Sequence, residues 1–339
     1  MPALPVSLLM GPPSFIDSPF TTRREYEEFL ALPKAAQNAS LDAAAAKAAA
    51  SAATIATLFA DLVAASPDQL ALEDPPDREV FAVGAPKTLT YAALAVRVSN
   101  LARSFVSDAG VAKGDYVMMQ LPNVEEFITV CLACAQLGAI VTAIKMHFHA
   151  PAIRAFFQET RPRAFVGISR YESDIEPTFS ITELTELFAE TDGLTVYVVG
   201  SPGPGQCDLE SVLSSSATVA SPNERSATSI TPEDAYCCFL TSGSTGKPKG
   251  IVHSNRSAVA FGRGYLDHFP ISSTDSYKVT MHVKPADSYK IVATWLAYVC
   301  MRRIPPMPLR HRHLALRNVL ACVPDHRWKL RVLPCGLHA

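Results

Sequence analysis

The fold of this chain is decided by the stretch Phe239-Leu-Thr-Ser-Gly-Ser-Thr-Gly-Lys-Pro-Lys-Gly250. It overlaps the apolar run Ala235-Tyr-Cys-Cys-Phe-Leu240, whose composition predicts a buried strand. Gly243 and Gly246 permit positive φ, so that backbone N–H groups can approach an anion closely. Nearby hydroxyls can donate to phosphate oxygens, and lysines add positive charge. These side chains are Thr241, Ser242, Ser244, Thr245, Lys247 and Lys249. The stretch therefore predicts a phosphate-binding turn at the end of a buried strand.

Two other interpretations of this turn fit less well. The loop of P-loop NTPases requires a glycine where this chain has Thr241, and a hydroxyl residue for Mg²⁺ where it has Pro248. Because proline also opposes a direct run into a helix, we expect a mobile flap over phosphates. A flexible linker would not normally be followed by an apolar pair such as Ile251-Val252.

The overall composition is that of a globular protein. The chain has 339 residues, which suggests about two domains. Its net charge is -2 and its pI is about 6.5. Since no basic stripe with interleaved aromatic residues is present in the body of the chain, we expect a small-molecule partner and no nucleic acid.

The cysteines and apolar segments indicate a reduced protein without a membrane span. The first ten residues have no basic region of the secretory type, and we expect a cytoplasmic location. Cys131 and Cys134 have redox-like spacing, but their apolar surroundings favour a buried helical face. The apolar segment 128–144 is short for a bilayer span, and Gly138 fits the end of a helix that is followed by a strand. No metal ligands are assigned.

The order of predicted elements indicates an α/β fold in which largely parallel sheets are flanked by helices. Three regions differ in composition: a Pro/Ala-rich extension (1–53), the main domain (54–300) and a basic, irregular tail (301–339). A helix is expected from about Leu41 through Val63. Further predicted helices cover 91–109, 124–137, 150–159 and 209–213, and predicted strands cover 116–121, 139–144, 164–167 and 194–199.

Several motifs together resemble the adenylate-forming superfamily, which contains acyl-CoA and aryl-CoA ligases, peptide-synthetase adenylation domains and luciferases. The phosphate turn matches the signature of that superfamily, and upstream stretches occur in the same order. They are Leu89-Thr-Tyr-Ala-Ala-Leu94, Asn100-Leu-Ala-Arg103, Gly110-Val-Ala-Lys-Gly-Asp115-Tyr-Val, Leu121-Pro-Asn-Val-Glu-Glu126-Phe and Leu137-Gly-Ala-Ile140. The fold implied is the N-terminal part of the adenylate-forming fold.

The resemblance implies ATP-dependent activation of a carboxylic acid as an acyl-adenylate, followed by CoA thioester formation. ATP and Mg²⁺ are the implied cofactors, and CoA is the implied co-substrate. The turn from Thr241 to Gly250 would bind the β- and γ-phosphates. Lys249 would add charge to the leaving pyrophosphate, whereas Lys247 is more readily explained as a solvated lysine. No catalytic residue is assigned.

The later motifs of the superfamily, including Tyr-Gly-x-Thr-Glu and Thr-Gly-Asp, do not occur in this chain, and we expect it to be truncated. We further expect residues 301–339 to be translated from outside the ancestral reading frame. Two alternatives stay open. One is an amino-acid adenylation domain. The other is a non-catalytic remnant, which is either inert or an interaction protein that pairs with a full-length paralogue through an unfilled sheet edge.

Overall fold

The computed structural model describes residues 53–146, 148–172, 179–216, 230–241 and 249–260, together with residues 28, 31–33 and 35–36. The described residues from 53 to 259 belong to one compact unit, and those from 28 to 36 belong to a second unit. Most of the proposed extension (1–53) and all of the proposed tail (301–339) lie outside the described residues. The three-region division therefore stays a prediction.

Helices and strands alternate along the described chain. The helices include α1 (Ile55–Ala65), α2 (Arg78–Phe81), α3 (Tyr91–Ser107), α4 (Glu125–Leu137), α5 (Ala150–Thr160), α6 (Thr185–Ala189) and α7 (Leu209–Leu213). A 3-10 turn covers Ile181–Leu184, and residues 255–260 are helical. The strands include β1 (Leu70–Glu73), β2 (Thr88–Thr90), β3 (Tyr116–Gln120), β4 (Ile140–Ala143), β5 (Ala164–Ile168), β6 (Arg170–Tyr171), β7 (Phe179–Ser180), β8 (Thr195–Val199), β9 (Cys207–Asp208), β10 (Ala235–Thr241) and β11 (Lys249–Ser254).

A seven-stranded sheet organises this unit, in the order β11-β10-β4-β3-β5-β8-β9. Every neighbouring pair is parallel except β10 and β11, which are antiparallel. In the middle of the sheet, Val117 lies between Val141 and Ala164. The predicted, largely parallel α/β architecture is confirmed. Two small antiparallel pairs, β1–β2 and β6–β7, lie outside this sheet.

Helices cover both faces of the sheet, so its strands are buried on both sides. Phe165 and Val166 point to opposite faces because side chains alternate along a strand. Tyr197 pairs with Val166, and its ring meets Phe105 of α3 edge-on, with ring centroids 5.3 Å apart. On the other face, Phe157 of α5 packs against Phe165 with ring centroids 5.8 Å apart. A strand that is buried on both faces has a continuous apolar sequence, and β5 is an example.

The helix ends follow from local sequence. Thr54 caps α1 and Thr90 caps α3 by accepting backbone N–H bonds with their hydroxyl oxygens. Gly138 ends α4 in the left-handed conformation with φ 69°, which confirms the predicted helix stop. The predicted helix 209–213 coincides with α7. The start of the first predicted helix, near Leu41, lies outside the described residues.

The segment 128–144, which was expected to be a helix followed by a strand, forms most of α4 and all of β4. Across the part of the chain that the structure describes, no helix combines the length and the apolar character that a membrane span requires.

Arg161 gives a test of backbone strain at the end of α5. It adopts φ 46°, a left-handed conformation that is unfavourable for a residue with a Cβ atom. We expect Arg161→Gly to raise the free energy of unfolding by about 0.5–1 kcal/mol, since the relieved strain exceeds the added chain entropy.

Arg163 is the matched control because it is also exposed but does not have a positive φ. Arg163→Gly should lower the free energy of unfolding by about 0.5–1 kcal/mol. Urea titrations of both variants measure these changes, and a destabilised Arg161→Gly variant would contradict the strain argument.

Candidate active site

The predicted phosphate turn lies between the two strands of a β-hairpin. Strand β10 pairs in parallel with β4, through Cys237 with Val141 and Cys238 with Thr142. It pairs antiparallel with β11, and Thr241 is opposite Lys249 at the end of the hairpin where the connection begins. The connection 242–248 therefore leaves the sheet at the carboxyl ends of its parallel strands, where open α/β sheets bind ligands.

Strand β10 is fixed by contacts with the helix layer. The Tyr236 hydroxyl is fully buried and donates to the backbone oxygen of Cys131 in α4, at 3.2 Å. Cys131 and Cys134 are completely buried, and burial raises the pKa of both thiols. The interpretation of these two cysteines as core residues is confirmed, since buried neutral thiols are neither nucleophiles nor metal ligands.

The other end of the hairpin is tied to the start of the domain. Asn255 is buried directly after β11, and its side-chain oxygen accepts from the backbone N–H of Ile55, at 3.2 Å. Its own backbone N–H donates to the oxygen of Asp234, at 2.9 Å. Lys113 forms an ion pair with Asp234 at 2.7 Å. These contacts hold both strands at their base, while the turn lies at the opposite end.

Gln120 fixes a neighbouring connection at the same edge of the sheet. It is the last residue of β3 and is fully buried. Its amide nitrogen donates to the backbone oxygens of Lys145 and Phe148, each at 2.9 Å, and the backbone oxygen of Met146 lies 3.3 Å away. The connection between β4 and α5 is thus anchored beside the end of β4, the strand that pairs with β10.

Seven charged residues form a charge network on the α3/α4 side. It consists of Asp74, Arg78, Lys87, Arg97, Glu125, Glu126 and Glu210. Arg78 is fully buried and bridges Asp74 at 2.5 Å and Glu126 at 2.7 Å. Arg97 contacts both Glu125 and Glu210. The network joins α2, α3 and α7 to the first turn of α4.

Lys87 lies at the centre of three carboxylates. Its ammonium nitrogen is 2.6 Å from Glu210, 3.0 Å from Glu126 and 3.2 Å from Glu125. Oxygen atoms of these three residues approach within 4.8 Å of one another. The Lys87 ammonium already contacts all three carboxylates, so the cluster does not offer a vacant place for a metal ion.

The carboxyl groups of the network differ in pKa because their surroundings differ. Burial opposes ionisation of Glu210, yet hydrogen bonds from Arg97 and Lys87 lower its pKa to about 2. Burial likewise opposes ionisation of Glu126, but the bond from Arg78 lowers its pKa. For Glu125, burial and the neighbouring Glu126 raise the pKa.

Comparison with known proteins identifies the family of this chain. A family model described as AMP-binding enzyme matches residues 63–303. This chain belongs to the AMP-binding enzyme family. Within it, acetyl-coenzyme A synthetase of Laribacter hongkongensis is 29% identical over 223 residues, which cover 62% of this chain and 32% of that protein. Acetyl-coenzyme A synthetase of Coprinopsis cinerea is 28% identical over 214 residues, covering 62% and 30%.

Solved structures of AMP-binding enzymes share the fold. Acetoacetyl-CoA synthetase from Streptomyces lividans superposes with a TM-score of 0.59 at 21% identity, over 73% of this chain and 37% of that one. An anthranilate CoA ligase in complex with anthranoyl-AMP gives 0.54 at 17% identity, over 66% and 39%. The present chain spans about a third of the length of the curated relatives that it matches.

The structure describes some of the predicted site residues of this chain and not others. Thr241, Lys249 and Gly250 lie in the paired strands, with Gly250 opposite Leu240. The remaining predicted residues lie outside the described part of the chain, namely Ser242, Gly243, Ser244, Thr245, Gly246 and Lys247. Their roles stay predictions.

Sequence reasoning missed Gln120 and the charge network. A polar residue at the end of an otherwise apolar strand was a signal for Gln120. The adjacent pair Glu125-Glu126 at the start of an apolar helix was a signal for the network, because such carboxylates need buried cations as partners. The sequence did not show which cations these are, because Arg78, Lys87 and Arg97 lie 28 or more residues before the glutamates that they contact.

The charge network predicts that removing one buried cation strongly destabilises the folded chain. Arg78→Met keeps most of the side-chain volume but leaves Asp74 and Glu126 without their guanidinium partner. We expect the free energy of unfolding to fall by about 3–5 kcal/mol. Arg154→Met is the matched control, because Arg154 pairs with Glu190 on the surface. It should cost at most about 1 kcal/mol.

Denaturant titrations of the two variants measure the difference. Equal losses for Arg78→Met and Arg154→Met would contradict the conclusion that the buried carboxylates of Asp74 and Glu126 need Arg78 as their partner.

Proposed function

We propose that this chain binds ATP through residues 241–250 and takes part in the activation of a carboxylic acid as an acyl-adenylate, with CoA as the thiol acceptor. The single observation that carries the proposal is the position of this glycine- and hydroxyl-rich connection. It leaves a buried parallel strand at the carboxyl edge of the sheet, between strands that are paired up to Thr241 and Lys249. Family membership and the activities for which the relatives are named support it.

Each part of the turn has a physical role in this proposal. Gly243 and Gly246 let backbone N–H groups approach the β- and γ-phosphates. Thr241, Ser242, Ser244 and Thr245 supply hydroxyl donors to the same oxygens. Lys249, at the start of β11, neutralises charge on the departing pyrophosphate, and Lys247 contributes less.

The proposed reaction has two steps. A carboxylate oxygen of the acid attacks the α-phosphorus of ATP, an O–P bond forms, and the bond to pyrophosphate breaks. The CoA thiol then loses its proton and attacks the acyl carbon, and AMP leaves. The protein contributes mainly orientation and charge neutralisation to the first step.

Mg²⁺ would accompany the ATP phosphates in this reaction. The clustered carboxylates Glu125, Glu126 and Glu210 do not fit this ion because Lys87 already lies among them. No metal ligand and no metal-dependent step is therefore assigned to the described residues.

The proposed substrate is a small carboxylic acid, which the reaction joins to CoA. Relatives named for acetate and acetoacetate favour this over an amino acid. The chain spans about a third of the length of those relatives. Catalysis of both steps by this chain is therefore part of the proposal, and an activity assay tests it.

A second candidate function is binding to a full-length relative through the edge of the sheet. Strand β11 ends the order of the seven-stranded sheet, and its Ile251 and Val252 are 48% and 47% exposed. Such an edge can accept a further strand. Co-purification of the full chain from its own cells tests this candidate, and recovery without any ligase partner would contradict it.

The proposed chemistry predicts carboxylate-dependent exchange of labelled pyrophosphate into ATP. The purified full chain is incubated with ATP, Mg²⁺, labelled pyrophosphate and a panel of short aliphatic, aromatic and amino acids. We expect exchange with at least one non-amino acid. Exchange with amino acids alone would support the adenylation-domain alternative. ATP binding without exchange would mean that this chain binds the nucleotide but does not form an adenylate.

Lys249 provides a residue-level test of ATP binding. Removing a charge-assisted contact should weaken ATP binding by about tenfold in Lys249→Ala. Lys247→Ala is the matched control within the same turn, and we expect its affinity to change by less than about threefold. Equilibrium titration with ATP measures both. Unchanged affinity in Lys249→Ala would contradict the assigned role.

A further inference from the structure

Gln120 is a polar residue at a position where an apolar residue would be less costly. It ends β3 after three completely buried apolar residues, Val117, Met118 and Met119, and its own side chain is completely buried. Its amide oxygen has no hydrogen-bond partner among the residues that the structure describes. Burying an unpaired amide oxygen opposes folding, and an apolar side chain of similar size would avoid that cost. Such exceptions to apolar packing are typical of positions that serve a site.

The amide nitrogen of Gln120 holds the connection between β4 and α5. It donates to the backbone oxygens of Lys145 and Phe148, each at 2.9 Å. The Lys145 oxygen also accepts from the backbone N–H of Phe148, at 3.1 Å, which closes a tight turn. At the strand side, the backbone N–H of Ile144 donates to the oxygen of Met119, at 2.7 Å. The last two residues of β3 therefore fix both ends of the connection.

The sheet register places Lys145 next to the start of the phosphate turn. In the parallel pair of β10 and β4, Cys238 is opposite Thr142. Three residues further along both strands, this register brings Thr241 level with Lys145. Neighbouring strands are about 4.8 Å apart. The backbone of Lys145 is therefore about one strand spacing from the point where residues 242–248 leave the sheet.

Both connections at this point carry positive charge and no acid. Residues 144–149 include Lys145 but no Asp or Glu, and residues 241–250 include two lysines but no Asp or Glu. The Lys145 side chain is half-buried, so solvent screens its charge less than that of an exposed lysine. An ammonium group offers three donors and a compact charge, which suits a phosphate group.

We propose that Lys145 is a further phosphate-binding residue of the ATP site, and that Gln120 is the positioning residue that holds it there. This inference rests on the proposed function, since it requires the phosphates of ATP to lie at residues 241–250. Lys145 donates from the β4–α5 connection, on the side of β10 opposite to Lys249. Gln120 does not touch the nucleotide. It fixes the backbone that carries Lys145, so that this backbone does not have to be ordered when ATP binds.

Lys145→Met tests the binding role, because it removes the charge and keeps most of the side-chain volume. We expect the dissociation constant for ATP to rise by about tenfold, since a charge-assisted contact is lost. Lys145→Arg keeps the charge and should change the affinity by less than about threefold. Equilibrium titration of the purified full chain with Mg-ATP measures both variants. Unchanged affinity in Lys145→Met would overturn the proposal.

Gln120→Met tests the positioning role, because it keeps the volume but removes both donors. Without ATP, amide exchange in residues 145–149 should become faster, and the dissociation constant for ATP should rise by about five- to tenfold. The double variant Gln120→Met/Lys145→Met should bind ATP about as well as Lys145→Met alone, because Gln120 acts through Lys145. Independent effects would instead multiply to about fiftyfold or more, and this result would overturn the positioning role.

Thr142→Val is the matched control for the loss of a buried polar group. Thr142 is completely buried in β4, inside the sheet and before the connection begins. The variant should change the free energy of unfolding but leave the ATP affinity within about twofold of the wild type. Equal losses of ATP affinity in Thr142→Val and Gln120→Met would mean that any loosening of the sheet weakens binding, and would overturn the positioning role.

The titrations separate failure of this inference from failure of the proposed function. If the wild-type chain does not bind ATP, the proposed function is wrong and the inference is wrong with it. If the wild type binds ATP and Lys145→Met binds it equally well, only the inference is overturned. Should Gln120→Met not fold, Gln120→Asn replaces it in the double-variant comparison, because its amide is one methylene too short to hold both carbonyls.

Discussion

The pairing of β10 with β4 is the constraint on which the candidate site depends. These strands are far apart in the sequence, and α5, β5 and β8 lie between them along the chain. Their parallel pairing, through Cys237 with Val141, fixes the direction in which β10 leaves the sheet. Only this direction brings the turn after Thr241 to the carboxyl edge, beside the connection that Gln120 holds.

The layer of helices behind this edge combines apolar packing with buried charge. Tyr236 joins β10 to α4, and α4 in turn begins in the charge network. Removing one partner of a buried ion pair costs more than the pair itself contributes to stability. The network is therefore best understood as a device that fixes where α4 begins.

Much of the fold was predictable because its strongest patterns are local. The apolar strand at 164–167, the helix at 209–213 and the glycine stop at Gly138 each follow from neighbouring residues, and the structure contains all three. Short elements were missed, including β1, β2 and the β6–β7 pair, because strands of two to four residues carry too little periodicity. Their positions are set by contacts with the rest of the domain.

The type of the candidate site stays a prediction from the sequence, and the structure adds part of its location. The residues around Gly243 and Gly246 indicated phosphate chemistry, and the sheet adds the location of the two strand ends, Thr241 and Lys249. Gln120 and Lys87 were not predicted, because each depends on partners brought together only by the folded chain. Composition reports how many charges a chain has, whereas the pairing of buried charges is a property of three-dimensional packing.

Amide hydrogen–deuterium exchange with and without Mg-ATP tests the central claim most directly. If residues 241–250 bind the phosphates, ATP should slow exchange in this turn and at the adjoining ends of β10 and β11. Exchange in β9 and α7, at the opposite end of the sheet order, should not change. Protection that is absent from the turn at saturating ATP, or confined to other segments, would contradict the account.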